Sequence, residues 1–390
     1  MQVTSAPEAA LRIAIVDRLD DIGADEWNAL GAAGYPFLRH EFLSALEEED
    51  CLGERYGWLP RHVTLRSDDG RLLGAAPLYL KFNSYGEFVF DWSWADAYAR
   101  HGLQYYPKLV SASPYTPATG PKLLIHPDAP AETRPMLVEA SRQLALELGV
   151  SSLHWLFTEP DENALLERDG FLRRVGCQFH WTNRDYADFD AFLATLTSGK
   201  RKNIRKERRK VEDAGVAFRL LDGHTASSRD WRVFHRYYES TFDRRGGIPT
   251  LSQRFFERIA RTMPEQLLLV MCDLDGEPVA AAFCLVGEHT LYGRHWGCET
   301  HVDNLHFEAC YYQGIEFCIR HGLQRFEPGA QGEHKIPRGF LPTETLSAHW
   351  LADARFSDAV SRHLELERSG MADYLAEMMQ RSPYRAQDNC

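Results

Sequence analysis

Six polar residues crowd into twelve positions of this chain: Glu327, Gln331, Glu333, His334, Lys335 and Arg338, punctuated by Gly329, Gly332 and Gly339. A carboxylate, an imidazole and two cations in one loop are the groups that proton transfer and anion holding require. Glu327 ends an apolar run, so burial there would raise its pKa toward that of a useful base. His334 titrates near neutrality unaided. Lys335 and Arg338 can hold a phosphate or a carboxylate. A salt-bridged surface hairpin has a similar composition, but glycine clustered with mixed charge favours a site carried by a loop. Glu327 and His334 are therefore candidate catalytic groups, and Gln331, Lys335 and Arg338 candidate substrate-binding groups.

Two further groups stand apart. The helix expected over Asn304–His321 carries Glu308, Tyr312 and Glu316 on one face of an otherwise apolar sequence. A buried carboxylate must be paired or protonated. Arg294 or His295 on the preceding strand are the expected partners, in a polar network whose candidate catalytic member is Glu308. The segment 81–131 is rich in aromatics, with Glu87, Asp91, Asp96 and Lys108 set among them. Such a groove suits a sugar, a peptide or an adenine ring. Most of its aromatics are expected to pack as a cap, and those four charged residues are the candidate substrate contacts.

Between the two halves, Phe189-x-x-Phe192-Leu193-x-x-Leu196 has the spacing of an amphipathic helix. It leads into Lys200-Arg201-Lys202-Asn203-Ile204-Arg205-Lys206-Glu207-Arg208-Arg209-Lys210, where eight of eleven residues are basic. In a chain of net charge -12 this is an isolated positive patch. It is either a solvated connecting helix or a phosphate site, with Lys200, Arg201, Asn203 and Arg205 the candidate contacts. Arg244-Arg245-Gly246-Gly247 is a weaker anion-nest candidate.

The elements that must position these residues occur twice, about 205 residues apart. Strand candidates Arg12–Asp17 and Ala217–Asp222 each precede a helix, one carrying Glu26-Trp27 and the other Asp230-Trp231. The strands His62–Arg66 and Leu72–Leu80 flank Asp69-Gly70, and Leu267–Cys272 and Pro278–Val286 flank Asp275-Gly276. Asp-Gly between apolar runs is a strong hairpin signal. Each half then closes with a long helix stopped by glycine and a short strand: Glu132–Leu148, Gly149 and Ser152–Phe157, then Asn304–His321, Gly322 and Gln324–Glu327. This predicts two α/β units with mixed sheets, the first carrying the insertion. The expected boundaries are 1–186, a basic connector 187–214, and 215–390 with a helical tail.

With 390 residues, 44% hydrophobic and 26% charged, the chain is long enough for two cores. Its acidity argues against a general nucleic-acid or membrane-surface binder. The sequence has no apolar run of membrane-spanning length, its first ten residues lack a signal-peptide pattern, and its eight cysteines form no CxxC pair. A reduced, cytoplasmic protein is expected, without metal and without a tightly bound cofactor.

The order of elements in each unit resembles the GNAT acyltransferase fold, which implies two neighbouring strands that splay around an acyl donor. The coenzyme A-using members carry a glycine-rich pyrophosphate loop before the long helix. This chain has Gly297-Cys298-Glu299-Thr300-His301-Val302-Asp303-Asn304 there, which disfavours acetyl-CoA in the usual mode. Tandem units without that loop, joined by a stretch similar to the K-x-R-x-N-I-R-K of Fem-type proteins, resemble the FemAB/FemX peptidyltransferases. Three motifs narrow the resemblance to a bacterial FemAB-like group of N-acyltransferase or peptidoglycan-recognition proteins. They are Ser84-Tyr85-Gly86-Glu87-Phe88-Val89-Phe90-Asp91-Trp92-Ser93-Trp94-Ala95-Asp96, Tyr105-Tyr106-Pro107-Lys108 and Glu327-Pro328-Gly329-Ala330-Gln331-Gly332-Glu333-His334-Lys335-x-x-Arg338-Gly339-Phe340. The resemblance implies transfer of an acyl or aminoacyl group to an amine, with a cell-envelope precursor as acceptor. Aminoacyl-tRNA on the basic stretch is the implied donor. Donation by acyl-CoA or an acyl carrier protein, and a recognition protein without catalysis, are the alternatives.

Overall fold

The computed structural model describes residues 11–385, Gln331 and the side chain of Arg245 excepted; the candidate Gln331 therefore lies outside the described residues. Nine strands come from the first half: β1 (Arg12–Val16), β2 (Trp58–Pro60), β3 (His62–Arg66), β4 (Leu72–Ala76), β5 (Tyr79–Lys81), β6 (Lys108–Ser111), β7 (Leu124–Ile125), β8 (Ser152–Thr158) and β9 (Leu172–Thr182). Six come from the second: β10 (Ala217–Leu221), β11 (Leu267–Leu274), β12 (Glu277–Val286), β13 (Thr290–Cys298), β14 (Arg325–Glu327) and β15 (Leu341–Leu351).

Local chemistry explains the paired elements. Asp275 and Gly276 both have positive φ, 52° and 81°. They close a two-residue turn between Leu274 and Glu277, which pair directly, as a type I′ turn requires. The helices Thr133–Glu147 and Gln313–His321 run out beside Gly149 and Gly322, left-handed at φ 63° and 68°. The strand expected over Leu72–Leu80 is broken instead into β4 and β5. Pro77 between them has no N–H to give the ladder, and the Arg61 N–H bridges the break to the Leu78 carbonyl at 2.8 Å. Beyond that break the chain leaves a small sheet, ordered β1-β3-β4-β7, and enters a large one.

The large sheet has eleven strands, ordered β10-β11-β12-β13-β14-β9-β15-β8-β6-β5-β2. Two of its pairings are parallel, β6 with β8 and β13 with β14. They mark the same place in each repeat, and the fold is a mixed α/β tandem of GNAT-like units. β15 inserts between β8 and β9, so pairing runs on across the two halves. Helices add to this joint. His40–Glu48 packs on Gln253–Thr262, with Phe42 edge-on to Phe255 at 5.5 Å, and one apolar cluster holds Trp27, Phe37 and Leu46 together with Phe256, Met271 and Phe283. No helix among the described residues is long and apolar enough to cross a membrane.

Candidate active site on one face of the sheet

Side chains alternate between the faces of a strand, and β9 alternates by chemistry as well. Arg174, Gly176, Gln178 and His180 point one way, and Val175, Cys177, Phe179 and Trp181 the other. β15 does the same with Thr343, Thr345, Ser347 and His349. The register sets Thr343 against Gln178, Thr345 against Gly176 and Ser347 against Arg174, then His349 against His154 on β8. Glu327 on β14 continues this row at one end, and Lys108 and Lys81, paired on β6 and β5, continue it at the other. The opposite face is packed with Leu109, Leu153, Trp155 and Ala348. A polar row therefore crosses the middle of a sheet whose other side is apolar around Leu109, Leu153, Trp155 and Ala348.

Glu327 sits where β13 and β14 part. β14 pairs with β13 only over Thr290–Tyr292, and β13 then runs on to Cys298 without it. Glu327 is 3% exposed, and neither carboxyl oxygen has a hydrogen-bond partner. Arg325 Nε lies 3.2 Å from Oε1, out of line for a hydrogen bond, and His180 Nδ1 lies 3.9 Å away. Burial pushes the Glu327 pKa up to about 7 against the pull of Arg325, the Thr119 backbone and Lys122. Lys122 is itself buried, which lowers its pKa to about 8, and its ammonium donates to the carbonyls of Gly120 (2.6 Å) and Phe157 (3.0 Å).

Beside this end the row opens into a cleft of about 290 Å³. Gly176, Gln178, Thr345 and Ser347 form its floor, and Phe88, Phe90 and Phe157 its walls. The tail helix Ala354–Gln380 closes the far side, where Glu367 grips Arg174 through two bonds of 2.7 and 3.0 Å. Ala330, three residues past Glu327, also lines the cleft. Phe88 and Phe157 have left-handed backbones, φ 60° and 53°, a strained state for bulky residues that concentrates at functional sites.

At the other end of the row, the insertion is anchored by a buried ionic network. Lys108 Nζ donates to Glu87 at 2.8 Å, to Ser84 at 2.9 Å and to Asp91. Tyr105 donates to Asp91 and lies 3.2 Å from His154 Nε2, and His154 meets His349 at 2.7 Å. Burial pushes Glu87 up to about 7, although Lys108 opposes it. At Asp91 burial acts upward too, but Lys108 and His154 prevail and hold it at about 2.

A protein-family model for FemAB-like proteins, described as peptidoglycan biosynthesis/recognition, matches residues 18–386. The chain belongs to the FemAB-like family. Solved structures share the fold of this FemAB-like chain at low identity. FemX is 13% identical, with 87% of this chain and 98% of that chain covered and a TM-score of 0.54. The C-terminal domain of a putative lysylphosphatidylglycerol synthetase from Agrobacterium fabrum is 9% identical over 88% and 96%, at 0.51. A conserved protein of unknown function from Bacteroides thetaiotaomicron is 12% identical over 87% and 99%, at 0.50. No curated protein matches the chain in sequence.

In the FemAB-like chain the candidates fall into separate places. Glu327 and Lys335 come together around His180. Lys335 is 2% exposed, its ammonium donates to the Gly329 carbonyl at 2.6 Å, and burial lowers its pKa to about 8. His334 turns away and meets the Tyr311 hydroxyl at 2.8 Å. Its ring lies over Gly332, where a Cβ would sit 2.1 Å from it, at φ 118°. The Arg338 fork is filled by Glu207 at 2.7 and 3.1 Å and stacked on Phe307 at 3.4 Å. Glu87, Asp91 and Lys108 share the buried network, whereas Asp96 is exposed on the helix Trp92–Arg100.

The expected partners of Glu308 are corrected. Arg208, on the basic helix Ser198–Asp213, grips Glu308 at 3.0 and 3.1 Å and Glu316 at 2.7 Å. Arg294 instead donates to the Tyr115 carbonyl, and His295 lies edge-on to Tyr238 at 4.8 Å. Ile204, Glu207 and Val211 are the buried side of that helix, because 3.6 residues per turn bring them to one face. Lys202, Asn203, Arg205, Lys206 and Arg209 are exposed on it, and Lys200 and Arg201 are half-buried in its first turn. Asn203 bonds Glu207 at 2.7 Å and Arg205 bonds Asp190 at 2.8 Å.

Sequence reasoning passed over Gln178, His180, Arg174, His154 and His349. The signal was present: polar residues at every second position in 343–349, and in 174–180 except at Gly176, mark two strands with one polar face.

Proposed function

We propose that the chain is a Fem-type N-acyltransferase, moving an acyl or aminoacyl group from an activated donor to the amine of a cell-envelope precursor. One observation carries the reading: a buried carboxyl group with no hydrogen bond to either oxygen lies behind a cleft, separated from it by Gln178 and His180, at the point where two parallel strands separate. The amine nitrogen attacks the donor carbonyl carbon and a C–N bond forms. The ester or thioester bond breaks, and the leaving oxygen or sulfur takes its electron pair and a proton. Glu327, with a pKa near 7, is suited to accept the proton from the amine, since a general base works best near the ambient pH. The cleft over Gly176 receives the acceptor; a Cβ at Gly176 would lie 2.8 Å from Thr345 Oγ1, so glycine lets Thr345 pack close in the cleft floor.

Aminoacyl-tRNA is the proposed donor. The exposed face of the basic helix suits its phosphates, and the acidic segment 297–304 does not suit a pyrophosphate. One fold relative, a putative lysylphosphatidylglycerol synthetase, is named for an aminoacylated product. The test incubates the purified chain with a UDP-linked muropeptide and tRNA charged with labelled amino acids, with acetyl-CoA in a parallel arm. Label is expected to pass from tRNA to the muropeptide amine, and Glu327→Gln to slow transfer by about 10²–10⁴-fold. Transfer from acetyl-CoA alone, or an unaltered rate in Glu327→Gln, overturns the reading.

A further inference from the structure

Two side chains stand between the cleft and Glu327, and hydrogen-bond chemistry fixes how both are oriented. Gln178 lines the cleft and donates its amide nitrogen to the Pro117 carbonyl at 2.7 Å. A carbonyl only accepts, so the amide nitrogen must face Pro117, and the amide oxygen is turned to His180. That oxygen lies 3.0 Å from His180 Nε2. It too only accepts, so Nε2 carries the ring hydrogen. Burial keeps the imidazole neutral, its pKa down at about 3, with Arg325 and Lys335 acting the same way. A neutral ring has one hydrogen, and Gln178 has claimed it. Nδ1 is left as a bare lone pair, buried and without a partner, 3.9 Å from Glu327 Oε1.

We propose that Gln178 is a positioning residue: it fixes the tautomer of His180 so that the ring nitrogen beside Glu327 has no hydrogen to give the carboxylate, which keeps that carboxylate a ready proton acceptor.

The groups around Glu327 fit this assignment. Arg325 on its own strand, Lys122 from the first half and Arg294 on β13 are donors only. The Tyr35 hydroxyl donates to the Ala118 carbonyl at 2.8 Å. Tyr292, Glu159 and the Thr119 backbone N–H, which favours the charged carboxylate, complete the set in reach. His180 Nδ1 is a buried acceptor without a donor, 3.9 Å from Glu327 Oε1 and so beyond a hydrogen bond. With the opposite tautomer, Nδ1–H would donate to a carboxylate and favour its charged form.

The catalytic meaning of this relay rests on the acyl-transfer reading, but its test needs no substrate. In the full chain labelled with ¹³C and ¹⁵N, long-range ¹H–¹⁵N spectra report which ring nitrogen of His180 is protonated, and the Glu327 carboxyl resonance reports its titration. Nε2–H is expected in the wild type. Gln178→Leu should convert His180 to Nδ1–H and lower the Glu327 midpoint by about one pH unit, the scale of a hydrogen bond to the charged form. Gln178→Glu, which keeps the acceptor, should restore Nε2–H. An Nδ1–H tautomer in the wild type overturns the proposal, and so does a Gln178→Leu variant with tautomer and midpoint unmoved. If Gln178→Leu does not fold, the wild-type and Gln178→Glu spectra still decide. Correct tautomers in a protein that transfers nothing would sink the acyl-transfer reading alone, and transfer by a protein with the wrong tautomer would sink the relay alone.

Discussion

The burial of Glu327 makes a prediction that depends on no substrate. Its pKa is raised from 4.5 to about 7 in the folded chain, whereas in the unfolded chain it returns to the ordinary value. Between these two pH values the folded state binds more protons than the unfolded state, so this group makes stability fall as pH rises. Its penalty is absent below about pH 4.5 and fully present above about pH 7. At about 1.4 kcal/mol per pH unit, the rise corresponds to about 3 kcal/mol. Glu327→Gln removes the titration and keeps the shape. Any loss from placing an amide in the site is the same at all pH values. Urea unfolding of both proteins at pH 5 and pH 8 isolates the term. The variant should gain about 2–3 kcal/mol on the wild type between the two conditions, because pH 5 already lies above the unfolded pKa, with Glu87 and the other shifted groups cancelling in the comparison. An offset that does not change with pH would refute the reasoning, because it would mean that Glu327 is already charged or well solvated when folded.

Lys108→Met should destabilise the chain by about 3–5 kcal/mol at neutral pH, because Glu87 and Asp91 are then left buried without their cation; urea unfolding measures this, and Glu87→Gln in the same background should recover part of the loss. Arg208→Ala should cost about 1–3 kcal/mol by leaving Glu308 without its cation and with only the Gln313 amide as partner. The cost should be smaller at pH 5 than at pH 8, since burial already raises the Glu308 pKa against the pull of Arg208, and calorimetry at both pH values checks it. If the exposed basic face carries tRNA phosphates, Lys202→Glu with Lys206→Glu should weaken binding and reduce the slope of log affinity against log salt by about one per lost contact. Filter binding between about 50 and 200 mM salt reads the slope, and an unchanged slope places the phosphates elsewhere.

Much of the fold was legible because its determinants are local. Asp275-Gly276 can adopt the two left-handed conformations of a tight hairpin, Gly149 and Gly322 can terminate helices, and the apolar spacing of 189–196 gives a helix wherever it occurs. Pro77 was equally readable, and its missing N–H explains why one expected strand became two. The site was legible only at its chain-local parts. Glu327 at the end of an apolar strand was visible as a carboxylate at risk of burial, and Glu87, Asp91 and Lys108 as charges among aromatics. Their partners were not. Arg208 reaches Glu308 across 100 residues, and His154 meets His349 across 195.

The sequence by itself determined the repeat, its turns, its helix ends and a basic helix, since each follows from backbone preferences and periodicity within a few residues. Only the tertiary structure decided that β15 enters the sheet between β8 and β9. That single register aligns Gln178, Thr345, Ser347 and His154 into one polar row ending at Glu327. Pairing between strands far apart in the chain is fixed by which faces can be buried together, and a one-residue slip would turn the whole row to the other side. The unpartnered state of Glu327, and with it the raised pKa, exists only once that face is closed.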